Sequence, residues 1–264
     1  MSGHRSPREE ARRAALDLLA YGRANDWAGY DPYDALNSRV YRALPFLHFR
    51  LARLALTQAV KRSPVNLRPL LLVPRVPNPK GLALFLASAV KLAKLSTPGA
   101  AESVGPLADK LLALRSPGWT HACWGYSFDW QQRFALVPKG SPNIICTTFA
   151  GNALLDAGDW APEPAWTEPA TSAADFILDN LFSREDGGRA CFRYTLVGRD
   201  EVHNANLLGA AYLCRVGRVS GDPRYLEPAL EAARFSVSRQ HDDGSWAYGE
   251  GPHQGWIDNF HTGY

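Results

Sequence analysis

Apolar residues recur at helical spacing along most of this chain. The first example follows Ser6 and Pro7, a pair typical of a helix start. Its apolar positions are Ala11, Ala14, Ala15, Leu18 and Leu19. These positions lie one, three or four residues apart, so they share one face of a helix that runs to about Tyr21.

The same spacing predicts helices further along the chain. They cover residues 38–62 (kinked near Pro45), 81–95, 104–114, 143–156, 170–182, 204–219 and 223–239. Residues 130–137 have little helical signal and fit a short strand hairpin. No stretch alternates at period two for long enough to build a sheet, so the pattern predicts an all-α fold.

A triplet made of an aromatic residue, any residue and a tyrosine occurs three times between these helices. The copies are residues 124–126, 192–194 and 246–248, and the last two lie 54 positions apart (246 − 192). An Asp-Gly pair precedes each of the last two, at 186–187 and 243–244. Two predicted helices separate these copies. This period predicts stacked helical hairpins whose long loops gather on one face.

The loops on that face would form the mouth of a cavity. Asparagines after the triplets would start the inner helices: Asn143, Asn204, Asn206 and Asn259. The unpaired N–H groups at those helix starts favour anionic or hydroxyl-rich ligands. We expect Phe192 and Trp246 to pack between hairpins, and Tyr194 and Tyr248 to present hydroxyls to the mouth. The alternative is a helical scaffold whose loop aromatics only pack.

Carboxylates and imidazoles in the mouth loops are candidates for acid–base chemistry on a carbohydrate. They are Asp129, His203, Glu250, Asp258 and His261. Asp129 is the first choice, because its aromatic neighbours Phe128 and Trp130 would raise its pKa by desolvation. Structural alternatives exist: Asp258 stands where an N-cap belongs, and each histidine could cap or pack against a helix end.

Aromatic and polar side chains of the same loops are candidates for sugar binding, since flat rings stack on sugar faces. Arg133 could hold a sugar carboxylate or a phosphate, or could pair with Asp129. The full set is Trp124, Tyr126, Trp130, Arg133, Tyr194, Asn206, Trp246, Tyr248, Trp256 and Asn259.

The sequence predicts no metal and no cofactor. His253, His261, Glu250 and Asp258 are neighbours in sequence, but their spacing matches no zinc motif. Cys146 lies on an apolar helix face and fits a core residue. The sequence contains neither a glycine-rich phosphate loop nor a G-x-S-x-G elbow.

The composition limits which classes of binding partner and which cellular location we expect. A net charge of +3 is too slight for a typical nucleic-acid binder, and the basic residues near 50–62 fit a solvated helix face. Four widely spaced cysteines predict buried thiols rather than a disulfide framework. The chain has no apolar run of about 18 residues and no signal-peptide pattern, so we expect no membrane span and a cytoplasmic location.

One short motif resembles a known repeat. Gln240, Gly244 and Trp246, preceded by Phe235, are similar to the Gln-Trp motif of α/α-toroid proteins such as terpenoid cyclases, with one extra residue after the phenylalanine. That motif is structural in those proteins. The acidic motif of the cyclases and the zinc pattern of the prenyltransferases are absent, so the resemblance implies neither activity.

A wider set of segments resembles bacterial α/α-toroid proteins encoded near exopolysaccharide and lipopolysaccharide biosynthesis genes, which are grouped with six-hairpin glycosidases. The segments are 124–133, 142–149, 202–210 and 255–264. The resemblance implies an (α/α) toroid forming a single domain over 1–264, with N-terminal helices in 1–62 and hairpin repeats in 104–264. It also implies a glycan or sugar-containing ligand, and polysaccharide-biosynthesis proteins as partners.

A closed toroid of this kind needs about six hairpins, and about four precede Tyr264. The sequence therefore predicts a C-terminally truncated toroid or an open arc completed by a partner. Either version predicts an exposed apolar patch on the 223–239 hairpin.

Three functions remain open at this point. The first is an enzyme that hydrolyses, cleaves or epimerises a glycan. The second is a non-catalytic glycan-binding or assembly component. The third is a terpenoid cyclase-like or purely structural helical scaffold.

Overall fold

Helices dominate the computed structural model, which describes residues 6–132, 135–185, 189–198 and 201–263. The helices are α1 Pro7–Ala24, α2 Arg39–Arg42, α3 Arg50–Arg62, α4 Pro79–Lys94, α5 Val104–Ala113, α6 Ile144–Trp160, α7 Pro164–Asn180, α8 His203–Ser220, α9 Leu226–Val237 and α10 Asn259–Gly263. Short 3-10 turns occupy Asp34–Asn37, Pro45–Leu47, Ala101–Ser103 and Pro223–Tyr225. The helical content predicted from the hydrophobic pattern is confirmed.

Side-chain caps fix several helix starts. Ser6 and Glu9 form a reciprocal capping box at α1. Asn78 accepts a hydrogen bond from the Lys80 N–H at the start of α4, and Asn143 accepts one from the Cys146 N–H at the start of α6. Asn143 thus starts an inner helix as predicted, and Asn78 adds an earlier case.

Successive helices pair into hairpins: α4 with α5, α6 with α7, and α8 with α9. Helices α4, α6 and α8 lie side by side as an inner layer, with α5, α7 and α9 behind them. One continuous cluster of buried residues extends from Leu19 to Ala232. Helix α6 is buried on nearly every side because both inner neighbours and α7 cover it.

Two short antiparallel hairpins interrupt the helices. Strands β1 (Trp130–Gln131) and β2 (Leu136–Val137) form the hairpin predicted for residues 130–137. Strands β3 (Phe182–Glu185) and β4 (Arg189–Phe192) form a second hairpin that was not predicted. Their burial follows no in–out alternation, so the period-two signal is missing from the sequence.

The first residue of each triplet packs into the hairpin behind it. Trp124 and Phe192 are fully buried. The Trp124 indole N–H donates to the Leu111 carbonyl near the end of α5, at 2.8 Å. The Trp246 indole N–H donates to the Ser236 carbonyl near the end of α9, at 2.7 Å. Trp124 and Trp246 therefore have the same structural role in the α4–α5 and α8–α9 hairpins.

The tyrosine of each later triplet docks its loop onto the preceding inner helix. The Tyr194 carbonyl accepts from the Ile144 N–H at the start of α6, at 3.0 Å, and the Tyr248 carbonyl accepts from the His203 N–H at the start of α8, at 3.2 Å. The long loops therefore meet at the N-terminal ends of the inner helices, on one face.

Several predicted boundaries change. The 38–62 helix divides at Pro45 into α2, a 3-10 turn and α3, and the 170–182 helix begins earlier, with Pro169 inside α7. Exposed apolar residues do lie on the 223–239 hairpin: Leu226, Leu230 and Val237. Asp186, Gly187 and Arg133 lie outside the described residues. Within the described part of the chain, each helix is too short or too polar to cross a bilayer.

Candidate functional site

A cleft of about 420 Å³ opens at the N-terminal ends of the inner helices. Five chain segments line it, and each comes from a loop or helix start on the mouth face. Its lining residues are Asp31, Pro32, Tyr33, Lys80, Tyr126, Phe128, Trp130, Tyr194, Tyr248, Trp256 and His261. An adjoining cavity of about 340 Å³ shares Asp31, Lys80, Tyr126 and Phe128 with it. The structure therefore brings the mouth loops together, as the repeat predicts.

Aromatic rings form much of the cleft wall. Tyr248 and Trp256 stack with ring centroids 4.4 Å apart and an interplanar angle of 12°. Trp130 stands edge-on to Tyr126 and to Tyr194 on the other triplets. Flat apolar faces next to polar groups are what a sugar ring needs, since one face of a sugar is apolar and its edge carries hydroxyls.

Two tyrosine hydroxyls meet in this wall. The Tyr126 and Tyr194 oxygens are 2.9 Å apart, and burial raises the pKa of Tyr126 well above its ordinary value. The Tyr126 phenol therefore stays protonated at neutral pH. Tyr194 and Tyr248 both line the cleft, where they were expected to present their hydroxyls.

Asp31 is a carboxylate of this cleft that sequence reasoning did not select. Its N–H donates to the Asp34 carboxylate at 2.9 Å, and its Oδ1 accepts from the Tyr33 N–H at 3.0 Å. Arg68 holds the same turn by pairing with Asp34 at 2.8 Å and donating to the Asp31 carbonyl. Among the described residues, no group donates to Oδ2 of Asp31, which leaves this oxygen for a ligand.

The surroundings of Asp31 favour its protonated form. Burial raises the pKa of Asp31, and the nearby negative charge of Asp34 acts in the same direction. The Tyr33 N–H and the charges of Arg68 and Lys80 oppose this shift without cancelling it. Because a raised pKa keeps more of the carboxyl group protonated, Asp31 has the character of a general acid.

His261 lines the cleft together with Asp31. Its Nδ1 lies 2.9 and 2.8 Å from the two Asp258 oxygens. An ionised carboxylate only accepts hydrogen bonds, so Nδ1 carries a proton, and in the neutral form of the ring Nε2 has the lone pair. The His261 backbone N–H first, and its ring second, hold the pKa of Asp258 below its ordinary value. Asp258 thus caps α10 and also orients His261.

His203 and Glu250 form a separate, mostly buried pair. His203 Nδ1 lies 3.0 Å from the Ser236 hydroxyl, and its Nε2 lies 3.0 Å from Glu250 Oε1. Arg239 approaches Glu250 at 3.6 Å. Both ring nitrogens of His203 are therefore occupied, and Glu250 does not line the cleft. His203 also lines a groove of about 250 Å³ beside the cleft. The pair ties the start of α8 to Ser236 of α9, and the catalytic role predicted for these two residues stays a prediction.

The buried position of His203 predicts a pH effect on stability. Burial lowers the pKa of His203 below its ordinary value of 6.5, against the opposing pull of Glu250. The unfolded chain therefore binds a proton near pH 6.5 that the folded chain does not bind. The free energy of unfolding should fall as the pH drops below 6.5, with a slope of at most about 1.4 kcal/mol per pH unit from this group.

Urea unfolding across this pH window measures that slope. His203→Gln should reduce the slope, while His241→Gln, at an exposed position, should leave it unchanged. Equal slopes in the wild type and His203→Gln would show that His203 is not the group responsible.

Asp129, the first choice from the sequence, lies outside the cleft. Its Oδ1 accepts from the Lys139 N–H at 2.7 Å, and Arg42 lies 3.6 Å from its Oδ2. Neighbouring residues of an extended segment point to opposite sides. Phe128 and Trp130 face the cleft, so Asp129 between them faces away.

Two of the predicted sugar-binding residues are also corrected. Trp124 is fully buried beside α5, and Asn206 is fully buried among backbone groups of β4 and α9. Neither side chain can reach a ligand in the mouth.

Trp246 lines a side groove of about 250 Å³ that joins the cleft at Tyr248 and His261. Asn259 is exposed at the start of α10, away from the cleft wall, and Arg133 lies outside the described residues.

Among the described residues, no three His, Cys, Asp or Glu side chains are grouped closely enough to hold a metal ion. The thiols of Cys123 and Cys146 are buried, and desolvation raises the pKa of each to about 12. They therefore belong to the core rather than to a reactive site.

Asp31 and Lys80 are site residues that the sequence reading missed. Asp31 lies in a loop with Trp27, Tyr30 and Tyr33, which is the same mixture of aromatics and carboxylates as in the closing loop. Lys80 follows the N-cap Asn78 in the first turn of α4, and α6 likewise starts after an N-cap asparagine, Asn143. Helix α8 instead begins at His203 after Val202, so Asn204 and Asn206 lie inside it and do not cap it as predicted. The loop composition could have identified Asp31, and the asparagine before the helix could have identified Lys80.

Solved structures share the fold of this chain. A GH76 α-mannanase of Bacteroides thetaiotaomicron superposes with a TM-score of 0.53 and 15% identity, over 69% of this chain and 50% of the mannanase. A D-mannose isomerase superposes with a TM-score of 0.51 and 16% identity, over 67% of this chain and 47% of the isomerase. Both are six-hairpin glycosidase-like α/α toroids, so the predicted toroid fold is confirmed.

The chain spans about half the length of these two structures. No family model matches the sequence, and no curated protein is significantly similar to it.

Proposed function

We propose that this chain is part of a carbohydrate-processing enzyme, which binds a sugar in the aromatic cleft and transfers protons through Asp31 and His261. One observation carries the proposal: a carboxyl group with a raised pKa and an imidazole oriented by a carboxylate line the same cleft. A carboxyl group with a raised pKa suits the role of acid, and an imidazole whose Nδ1 is held by a carboxylate presents its Nε2 for the role of base.

The two groups match a proton-transfer reaction on a reducing sugar. His261 Nε2 would accept the proton from the carbon next to the carbonyl. Asp31 would donate its proton to the carbonyl oxygen, which gives an enediol. Return of a proton to the neighbouring carbon, with loss of the hydroxyl proton to Asp31, completes an isomerisation, and both groups regain their starting states.

Hydrolysis of a glycosidic bond is the second candidate. It usually needs two carboxyl groups, one on each side of the bond. Among the described residues that line the joined cavities, Asp34 is the second carboxylate, but its ion pair with Arg68 at 2.8 Å neutralises it. The cleft therefore supports isomerisation or epimerisation better than hydrolysis.

The activities of the two fold neighbours indicate which sugars to test first. One neighbour is named as an α-mannanase and the other as a D-mannose isomerase. We therefore infer that mannose and mannose-containing oligosaccharides belong first in a substrate panel, followed by other aldoses and their ketoses.

Incubation in deuterium oxide separates the candidate reactions. NMR of an isomerised or epimerised sugar should show deuterium on the carbon next to the carbonyl, because the base exchanges its proton with solvent. Hydrolysis would instead release new reducing ends without carbon-bound deuterium. Binding of sugars without turnover of any of them would support the non-catalytic alternative and contradict the proposal.

The stacked rings of Tyr248 and Trp256 give a second test of where the sugar binds. Trp256→Ala should weaken sugar binding about tenfold, or roughly 1.4 kcal/mol, because it removes the exposed ring of the Tyr248–Trp256 stack. Calorimetric titration measures the dissociation constant. Trp119→Ala is the matched control, since Trp119 is exposed to a similar extent (39% against 45%) but lies away from the cleft. Equal losses in the two variants would contradict the location of the sugar.

A further inference from the structure

A long basic segment extends from the turn before α2 to the end of α4. Residues 35–101 contain eleven lysines and arginines and no aspartate or glutamate. They are Arg39, Arg42, Arg50, Arg53, Lys61, Arg62, Arg68, Arg75, Lys80, Lys91 and Lys94. The overall charge of +3 conceals this asymmetry. Within the described residues, Arg39, Lys61 and Arg62 form no ion pair, so the local positive charge is not neutralised.

Large apolar side chains are exposed on the same segment. Phe46 is 72% exposed, Leu51 66% and Leu70 77%, and Phe49 and Leu72 are also more than half exposed. Soluble surfaces tolerate single apolar residues, but a group of this size marks an interaction site.

Helix α3 turns an apolar row outward. Leu51, Ala55 and Ala59 are exposed at successive four-residue steps, while Thr57 and Val60 face the core. Side chains four residues apart lie on one helix face. This face therefore has an apolar centre, and Lys61 and Arg62 stand at its end.

The connector after α3 lies against the start of α2. The Arg39 N–H donates to the Leu72 carbonyl at 3.3 Å, and the Ser38 hydroxyl donates to the Leu71 carbonyl at 2.6 Å. These bonds hold the Leu70–Leu72 region against the start of α2. We call the combined surface the basic–apolar patch: Phe46, Phe49, Leu51, Leu70 and Leu72, with Arg39, Lys61 and Arg62.

We propose that the basic–apolar patch docks this protein onto the surface of a lipid bilayer that contains anionic headgroups. Apolar side chains would enter the boundary between headgroups and acyl chains, and the surrounding cations would pair with lipid phosphates. The apolar part of the patch is rich in leucine, which gives nucleic-acid bases little to stack on, so a lipid surface fits it better than RNA does. Lys61 also donates to Tyr33 of the cleft wall, so the docked surface adjoins the sugar cleft.

Vesicle flotation tests this proposal with the whole chain and without a sugar substrate. The probes are phosphatidylcholine vesicles with and without phosphatidylglycerol. Arg39→Glu combined with Arg62→Glu should weaken binding to anionic vesicles at least about tenfold, since each basic residue near the surface contributes about fivefold. Phe46→Ser combined with Phe49→Ser and Leu51→Ser should weaken it to a similar degree.

The control lies on α9. Leu226→Ser combined with Leu230→Ser and Val237→Ser removes exposed apolar residues from a surface of mixed charge, and should not change flotation. Higher salt should weaken the binding of the wild type, because the attraction acts over about a Debye length. Absent flotation of the wild type, equal binding to neutral vesicles, equal loss in the control, or displacement from vesicles by RNA would each overturn the proposal.

Discussion

Asp31→Asn is expected to lower kcat for the sugar substrate by about 10² to 10⁴, the usual contribution of a general acid. The amide keeps the size of the side chain and can still accept the Tyr33 N–H bond, but it cannot donate the proton that a carboxyl group with a raised pKa supplies. The dissociation constant of the sugar should change little. Steady-state turnover and calorimetric titration on the same preparations measure the two quantities.

Asp129→Asn is the matched control for that experiment. Asp129 is another loop carboxylate that accepts a backbone N–H, but it lies outside the cleft. Its variant should retain near wild-type kcat. The opposite outcome, a large loss in Asp129→Asn with normal turnover in Asp31→Asn, would return the catalytic role to the residue that the sequence favours.

Asn206→Ala is expected to cost about 2–4 kcal/mol in the free energy of unfolding. Asn206 is fully buried, accepts from the Phe192 N–H at 2.8 Å, and donates to the Ala232 carbonyl at 2.7 Å and the Ser236 hydroxyl at 2.8 Å. It thereby ties β4 and α9 to α8. Alanine leaves these buried groups without partners, at about 1–3 kcal/mol for each group that stays unsatisfied.

Urea denaturation measures this loss, and Asn204→Ala controls for helix propensity at a nearby position of α8. Asn204 is half-buried and borders the side groove, and it has none of the three bonds of Asn206. Its replacement should shift the free energy of unfolding by less than about 0.5 kcal/mol. Similar midpoints for the two variants would mean that the Asn206 bonds do not tie the hairpin together.

The hydrophobic pattern predicted the helices and the hairpin stacking because both depend on local periodicity. Residues 204–219 read as one helix, and α8 spans His203–Ser220. The β3–β4 hairpin was missed because its strands are short and neither alternates between buried and exposed residues: β3 is half-buried to exposed, and β4 is mostly buried. The period of the triplets was sufficient to place the loops on one face.

The candidate site was only partly predictable, because its two acid–base groups are separated by most of the chain. His261 belongs to the aromatic closing loop and was selected. Asp31 lies at the other end of the sequence, and only folding brings it to the same cleft. Trp124 and Trp246 were selected as sugar-binding residues, but both pack against a hairpin. The aromatic composition of a loop does not by itself distinguish side chains that bind a ligand from side chains that pack.

The docking of each loop onto the preceding inner helix has a consequence for synthesis on the ribosome. Helix α6 gains the Tyr194 carbonyl as a partner for its first N–H groups, and α8 gains that of Tyr248. Each partner is translated about 50 residues after the helix start that it completes (194 − 144 = 50; 248 − 203 = 45). During translation, the first N–H group of each of these inner helices therefore lacks its partner until the loop that follows the helix's own hairpin has left the exit tunnel, and the cleft wall is completed one tyrosine at a time.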